Sequence, residues 1–353
     1  MYDLNTILVE SVQQKASDIH LTVGRAPSYR INGILAPIEG ERLTPQMLEE
    51  LLMPILDVRH RGELQEKGQT DFAYAIPGVG RFRVNVFKQR GTLASVMRSL
   101  PFRIPEPQSL GIPDCVVEMT SRKRGLVLVT GPTGSGKSTT LASLLDVINK
   151  NYPYHIITLE DPIEYLHRHD KSVVNQREIG SDSGDYAQAL RAALRQDPDV
   201  ILVGEMRDYE TISAALLAAE TGHLVLSTLH TTGAAQTVER IIDACPTGSQ
   251  NQIRIQLAAA LKGIVSQCLI PCGEVKGAAR IAGTELLVAT DAILNLIREG
   301  KTHQISAMMQ AGGNAGMHTL NMDLSRLMRQ GYITKERARE YTNNPAELEQ
   351  YMM

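Results

Sequence analysis

The feature that most constrains this chain is a glycine-rich segment at residues 131–138, which fits the pattern Gly-x-x-x-x-Gly-Lys-Ser. A β-branched run at 126–130 precedes the segment, and residues 139–149 follow it with apolar side chains at helical spacing. A strand, a loop and a helix in this order direct successive backbone N–H groups into the loop, where they bind phosphate oxygens. We therefore expect a nucleotide to lie on Gly131, Pro132, Thr133, Gly134, Ser135, Gly136, Lys137, Ser138 and Thr139.

Two side chains of this loop have distinct tasks in nucleotide chemistry. Lys137 is placed to reach the β- and γ-phosphates, and Ser138 supplies a hydroxyl that holds Mg²⁺. ATP and Mg²⁺ are therefore the predicted cofactors. A glycine-rich turn can also arise by chance, but the flanking strand and helix argue against that interpretation.

Length and composition limit the possible fold and function only broadly. A chain of 353 residues with 43% hydrophobic residues is long enough for two domains with their own cores. Its net charge of −3 and its lack of tryptophan give no support for a nucleic-acid partner. No apolar run approaches the roughly 18 residues of a membrane span, and the N-terminus lacks the features of a signal peptide. We expect a cytoplasmic protein.

The four cysteines do not form a metal-binding pattern. Cys268 and Cys272 are the nearest pair, while Cys115 and Cys245 stand far from them in the sequence. A structural zinc site needs four ligands at tight spacing, so we expect ordinary thiols and no metal other than Mg²⁺.

A proline-rich segment divides the chain. Three prolines within residues 101–107 exclude a helix and are typical of a semi-rigid linker, which we place at 101–112. The pattern of residues 1–100 predicts a small α/β domain. An apolar helical stripe opens this domain, at Leu4, Ile7, Leu8 and Val12. We expect strands at 18–21, 29–34, 81–88 and 92–100, a hairpin turn at Asn32-Gly33, and a helix from Thr44-Pro45 to about Met53.

After the linker, residues 113–353 alternate between strands and helices, a pattern typical of a parallel sheet in an α/β fold. The candidate strands are rich in Val, Ile and Leu, as expected for strands that are buried on both faces. They lie at 126–130, 155–159, 199–204 and 223–228, with helices at 137–150, 185–196 and 208–221. From about residue 285 to 353 we expect a mostly helical region.

In open α/β sheets, ligands bind at the carboxyl ends of the strands, and polar residues follow these candidate strands. The strand at 155–159 leads into Glu160, Asp161 and Glu164, and the strand at 199–204 leads into Glu205. An acid in such a position can orient and deprotonate the water that attacks the γ-phosphate. The last strand leads to His230, where a polar side chain could sense that phosphate. A single acid at a strand end is often a helix cap, but four compatible strand ends point to one site.

Arginine is the remaining requirement, because a guanidinium that neutralises transition-state charge speeds nucleotide hydrolysis by about 10³ to 10⁵. Arg191 and Arg195 are spaced for one helical face just before the strand at 199–204, and Arg83 and Arg98 lie on paired strands of the first domain. Most surface arginines make solvated or structural ion pairs, but the placement of these four suits a site between domains or subunits.

Four segments in order resemble the conserved boxes of the secretion-superfamily ATPases that power type II secretion and type IV pili. They are the Walker A box at 131–138, the aspartate box at 158–164, the Walker B box at 196–208 and the histidine box at 222–231. Residues 16–21 and 30–33 are similar to the PAS-like N-terminal domain of this family, and the resemblance implies a RecA-like ATPase domain after it. Three features favour the pilus-retraction branch of this family. The chain is short, it lacks the four-cysteine insert of the other branches, and its residues 316–324 are similar to the C-terminal region of the retraction ATPases.

The resemblance implies a homo-hexameric, ATP-hydrolysing motor at the cytoplasmic face of the inner membrane. It would act with a membrane platform protein and the pilus machinery to withdraw pilin subunits, without spanning the membrane itself. An accessory retraction paralogue and a pilus-extension or type II secretion ATPase are the alternatives within the family. A RecA-like nucleic-acid translocase and a non-hydrolysing nucleotide-dependent scaffold are alternatives of other classes.

The resemblance also implies roles for individual residues. Glu205 resembles the catalytic base and a ligand of Mg²⁺ through water, and Glu160, Asp161 and Glu164 resemble the acids that support the ion and the water. His230 resembles the histidine that responds to nucleotide. Family arginines that approach the phosphates or precede the Walker B box are matched by Arg83, Arg98 and Arg195.

Overall fold

The computed structural model describes residues 2–100, 103–272 and 280–352. The chain forms two compact units, each with its own sheet and core. The first comprises Met1–Arg103 with Glu164–Leu166, and the second comprises Ile104–Ile163 with His167–Met353. The first two residues of the predicted linker, 101 and 102, lie outside the described residues.

The first unit is an antiparallel sheet of six strands in the order β3-β2-β1-β6-β5-β4. Its strands are β1 (Asp18–Leu21), β2 (Ser28–Ile31), β3 (Ile34–Pro37), β4 (Gln69–Ile76), β5 (Gly80–Gln89) and β6 (Thr92–Ser99). Its helices are α1 (Leu4–Gln13), α2 (Pro45–Leu52) and α3 (Val58–Lys67), with a 3₁₀ turn at Met53–Ile55.

Sequence patterns explain these elements. Phe82, Val84 and Val86 alternate along β5 and are buried in the same core as the apolar stripe of α1. Thr44 caps α2 through its hydroxyl, and proline follows at the first helical position, where it costs no backbone hydrogen bond. Asn32 and Gly33 both have positive φ and form the two-residue turn of a hairpin, so the predicted strand 29–34 is two strands.

The second unit contains a sheet of seven strands in the order β13-β12-β7-β11-β10-β8-β9. Its strands are β7 (Gly125–Thr130), β8 (His155–Glu160), β9 (Val173–Glu178), β10 (Val200–Val203), β11 (Leu224–Leu229), β12 (Leu261–Pro271) and β13 (Arg280–Val288). The helices of its first part are α4 (Asp114–Met119), α5 (Lys137–Asn151), α6 (Tyr186–Ala193), α7 (Tyr209–Glu220), α8 (Ala234–Asp243) and α9 (Gln250–Ala260). Those of its last part are α10 (Asp291–Arg298), α11 (Ile305–Ala311), α12 (Leu320–Arg329), α13 (Lys335–Tyr341) and α14 (Pro345–Met352).

The central strand β7 is buried on both faces. Leu126 and Leu128 pack in one hydrophobic core, while Val127 and Val129 pack in a second core on the opposite face. Successive side chains of a strand point to opposite faces, so a continuous apolar run is what a strand covered on both sides requires.

The α/β class is confirmed, with two differences in the second unit. The sheet is parallel except for β13, which runs antiparallel to β12. The helical C-terminal region begins at Asp291, because residues 280–288 form β13 rather than helix. Residues 104–112 of the predicted linker belong to the second unit, where Pro107 and Ile112 are buried. None of the helices in the described part of the chain is both long and apolar enough to cross a membrane.

A buried aspartate ties together three strands of the first unit and predicts a pH-dependent stability. Asp18 on β1 accepts hydrogen bonds from Arg98 Nε at 3.0 Å and Ser17 Oγ at 2.9 Å, and Arg30 Nε lies 3.7 Å away. Burial alone would raise the pKa of Asp18, but these hydrogen bonds and the charge of Arg98 lower the pKa below its ordinary value.

Asp18→Asn should therefore lower the free energy of unfolding by about 1–2 kcal/mol at pH 7. Because the folded pKa lies below the unfolded one, the carboxylate stabilises the fold above about pH 4, and this contribution disappears as the pH falls further. Urea unfolding of the full chain at pH 7 and pH 3 measures the difference. Asp71→Asn, at an exposed position on β4, is the matched control. An equal loss at both pH values for Asp18→Asn would contradict the assignment.

Candidate functional site

Four parallel strands bring the predicted site segments to one edge of the second sheet. Leu229 at the end of β11 pairs with Thr130 at the end of β7, and Val203 at the end of β10 pairs with Ser227 and with Leu159. The Walker A box at 131–138, hereafter the P-loop, follows β7, and His230, Glu205 and Asp161 follow the ends of β11, β10 and β8. Parallel register therefore gathers residues that lie up to about a hundred positions apart in the sequence.

The P-loop has the backbone and charge expected for an anion site. Gly136 has a φ of +91° and precedes α5, so its left-handed conformation turns the loop into the helix N-terminus. The Lys137 ammonium is buried and donates hydrogen bonds to the carbonyl oxygens of Gly131 at 2.8 Å and Pro132 at 3.0 Å. Ser135 Oγ is also buried and has no hydrogen-bond partner among the described residues. A buried cation, an orphaned hydroxyl and a helix N-terminus fit a phosphate group.

Residues suited to a magnesium ion also lie at this edge. Ser138 is half-buried in the first turn of α5, and the Glu205 carboxylate follows β10. Mg²⁺ prefers oxygen ligands and usually keeps several waters beside the phosphates of its substrate. The described residues contain no group of three or more His, Cys, Asp or Glu that could hold a metal by themselves. Donors of this kind fit an ion shared with a nucleotide rather than a site built from protein ligands alone.

Glu205 is the centre of a small charged cluster. Its Oε2 lies 2.7 Å from Arg207 Nε and 3.4 Å from His230 Nε2, and its side chain is only 17% exposed. A cavity of 560 Å³ is lined by Glu205, Arg207 and His230 together with Thr133 of the P-loop. The structure thus places the Walker B acid, the histidine and the P-loop around one space.

The three acids of the aspartate box have different surroundings. Glu160 accepts hydrogen bonds from Thr158 Oγ1 at 2.6 Å and Gln176 Nε2 at 3.1 Å. Asp161 lines a second cavity, of 480 Å³, which Glu205 and Arg207 also border. Glu164 is exposed and belongs to the first unit by its contacts. The structure therefore brings Asp161 to Glu205 within the second unit and does not do so for Glu164.

The predicted arginines differ in their placement. Arg191 on α6 lines the second cavity, but Arg195 lies beyond the end of this helix at Ala193, so the two do not share a helical face. Four residues further on, Asp197 adopts a positive φ before Pro198, so the helix could not have continued through this segment. Arg83 and Arg98 lie in the first unit and pair across β5 and β6, and Arg98 is bonded to Asp18.

Two residues at the site were not predicted: Arg207, although it lies inside the Walker B box, and Tyr186. Arg207, two residues after the acid, binds Glu205 directly. Tyr186 at the start of α6 places its hydroxyl over Gly204, where an added Cβ would lie 2.7 Å from the oxygen. Burial first, and then the charges of Glu205, Asp161 and Glu160, raise the pKa of Tyr186, so the phenol stays protonated at neutral pH. An aromatic residue on an amphipathic helix gives no sequence sign of this position.

Two glycines of the P-loop predict different costs for the same substitution. Gly131 has a φ of +141°, and an added Cβ would overlap the carbonyl oxygen of Gln267 on β12. Gly134 has a φ of +80° with nothing within 4 Å of an added Cβ. Gly134→Ala should cost about 1–2 kcal/mol of folding free energy from the left-handed backbone alone. Gly131→Ala should cost more than about 3 kcal/mol, since a steric overlap adds to the strain. Urea unfolding of both variants tests this order, and equal losses would contradict it.

Comparison with known proteins gives one family over nearly the whole chain. Residues 1–344 match the family described as Type II/IV secretion system protein. The chain is 45% identical over 343 residues to the type IV pilus retraction ATPase PilT of Pseudomonas aeruginosa, an alignment that covers 97% of this chain and 99% of that protein. It is 42% identical over 343 residues to a twitching motility protein of Neisseria gonorrhoeae, covering 97% and 91% of the two chains.

A solved structure agrees with these relatives. The crystal structure of the pilus retraction motor PilT with bound ADP superposes on this chain with a TM-score of 0.93 at 51% sequence identity. The superposition covers 99% of this chain and 100% of the other. The similarity therefore includes both units and the edge of the sheet that carries the P-loop. The chain belongs to the Type II/IV secretion system protein family.

Proposed function

We propose that this chain is an ATP-hydrolysing motor that retracts type IV pili. The observation that carries the proposal is that Glu205, Arg207 and His230 line the same cavity as the P-loop residue Thr133. An acid beside a phosphate-binding loop is the arrangement that nucleotide hydrolysis requires. The direction of the motor rests on the relatives, which are named for retraction and twitching and align along almost their whole length.

Binding begins with an exchange of partners at Lys137. Its ammonium, bonded to the carbonyl oxygens of Gly131 and Pro132, would turn to the β- and γ-phosphates of ATP. The backbone N–H groups of 131–139 and the Ser135 hydroxyl would bind phosphate oxygens beside it. Ser138, with Glu205 through water, would hold Mg²⁺, which neutralises phosphate charge when bound.

Hydrolysis then depends on Glu205. Its carboxylate would orient the attacking water and accept its proton. Arg207 Nε lies 2.7 Å from this carboxylate and His230 Nε2 lies 3.4 Å from it, so a change at either side chain would change the position of the base. We assign His230 the task of sensing the γ-phosphate. Asp161, which borders the same cavity as Glu205, and Glu160 beside it would support the ion and the water.

Positive charge for the transition state would come from Arg83, Arg98 and Arg195, with Arg83 and Arg98 supplied by a neighbouring copy. A ring of six copies has heterologous interfaces, in which a residue of one subunit can complete the site of the next. Movement of one unit against the other during hydrolysis, about the residues that join the two units, would deliver the force. The ring would act at the cytoplasmic face of the inner membrane on a platform protein of the pilus machinery.

Glu205→Gln tests the proposed base. The variant should bind ATP·Mg²⁺ within about threefold of the parent affinity, because the amide keeps the shape of the side chain. Its kcat should fall at least 100-fold, since the amide cannot accept the proton. Steady-state phosphate release and a fluorescent-nucleotide titration measure the two quantities. Glu336→Gln, an exposed acid on α13, is the control and should match the parent. Normal turnover in Glu205→Gln would assign the base elsewhere.

Mixing two inactive variants tests whether Arg83 acts between copies. Arg83→Ala alone should lose at least tenfold in kcat. In rings assembled from equal amounts of Arg83→Ala and Glu205→Gln, roughly a quarter of the sites would pair an intact Glu205 with an intact Arg83 from the neighbour. Phosphate release should then exceed the sum of the separate variants. A mixture no more active than its parts would place Arg83 in the site of its own chain or outside any site.

A further inference from the structure

We infer that Gln267 on β12 is a positioning residue of the P-loop. This role rests on the proposed function, because it concerns how the loop is held ready for a nucleotide. β12 lies beside β7 in parallel register, with Ser266 paired to Thr130. Gln267 therefore stands one residue beyond the end of β7, at the level where the P-loop begins.

The side-chain amide of Gln267 joins the loop to the first turn of α5. Its Nε2 donates to the carbonyl oxygen of Ser135 at 2.7 Å, and its Oε1 accepts from Thr140 Oγ1 at 3.0 Å. Both hydrogen bonds are buried, and the residue is 6% exposed. A carbonyl oxygen can only accept, so the nitrogen of the amide must face Ser135 and its oxygen must face Thr140.

The same residue also contacts the glycines near both ends of the loop. An added Cβ on Gly131 would overlap the Gln267 carbonyl oxygen, and one on Gly136 would lie 3.1 Å from Gln267 Nε2. The backbone of Gln267 thus lies against the start of the loop, and its side chain lies against the end of the loop, where α5 begins. β12 acts as a fixed surface against which the loop takes its shape.

The consequence for binding follows from the peptide that the amide anchors. With the Ser135 carbonyl fixed toward β12, the N–H of Gly136 in the same peptide plane points the opposite way. We place the phosphate oxygen on that side of the peptide, away from β12. Gln267 lowers the cost of arranging these N–H groups, so its loss should weaken nucleotide binding more than it slows the chemical step.

Adjacent residues of β12 serve different segments of the site. Ser266 Oγ accepts from the N–H of Gly233 at 2.9 Å, just after the histidine box, while Gln267 binds the P-loop and α5. Alternation along a strand places these side chains on opposite faces of the sheet. Of these two side chains, only that of Gln267 contacts the P-loop, so its role can be tested without disturbing the segment after the histidine box.

Gln267→Met removes both hydrogen bonds and keeps the length of the side chain. Fluorescent ADP titrated into the full chain should bind about tenfold more weakly, a loss of about 1.4 kcal/mol. KM for ATP should rise by a similar factor, while kcat changes by less than about threefold. Gln256→Met removes a side-chain hydrogen bond to Glu220 on α7, away from the loop, and should leave the ADP affinity unchanged.

Thr140→Val removes only the second hydrogen bond and keeps Gln267. It should weaken ADP binding about threefold, and it should add little to Gln267→Met in the double variant, because the bond is already lost. A folded Gln267→Met with ADP affinity within twofold of the parent would overturn the role. So would a loss of affinity in Thr140→Val that adds in full to the loss of Gln267→Met in the double variant. A parent chain that binds no ADP would instead overturn the proposed nucleotide site, and the role of Gln267 with it.

Discussion

The structure depends on the register of parallel strands at one edge of the second sheet. Strand β11 lies between β7, which leads into the P-loop, and β10, which leads into Glu205. Two hydroxyls of β11 bind the backbone of the neighbouring strand. Ser227 Oγ donates to the carbonyl oxygen of Val203, and Thr228 Oγ1 donates to that of Gly204. These bonds fix the peptide that leads into Glu205. A slip of one residue would turn every side chain to the other face and separate the acid from the P-loop.

Two cations at this edge of the sheet are bound to acceptors within the protein. Lys137 is bonded to carbonyl oxygens of its own loop, and Arg207 is bonded to Glu205. Because the buried Lys137 already has partners, binding of ATP there would exchange one set of hydrogen bonds for another and leave no buried charge without a partner. Small rearrangements of this kind suit a motor that must bind, hydrolyse and release nucleotide repeatedly.

The sequence predicted the P-loop, four strands of the parallel sheet and Glu205, because each depends on local periodicity or a fixed spacing. It did not predict β12, since residues 261–271 follow α9 without a glycine or proline between them and lack regular alternation. Gln267 was therefore missed as well: its place beside the P-loop comes from strand pairing across more than a hundred residues. The expectation of one helical face for Arg191 and Arg195 was wrong, because the helix ends at Ala193. The roles of Arg83 and Arg98 remain predictions, as both lie in the first unit.

The most direct test of a retraction motor is to follow labelled pili over time in the native host, with Glu205→Gln as the only copy of this chain. Extension and retraction events are counted separately on the same cells. Retraction should fall to near zero while extension continues, so that pili accumulate on the surface. Cells that make no pili would show that the motor drives extension, and retraction at the parent rate would contradict a motor role for this chain.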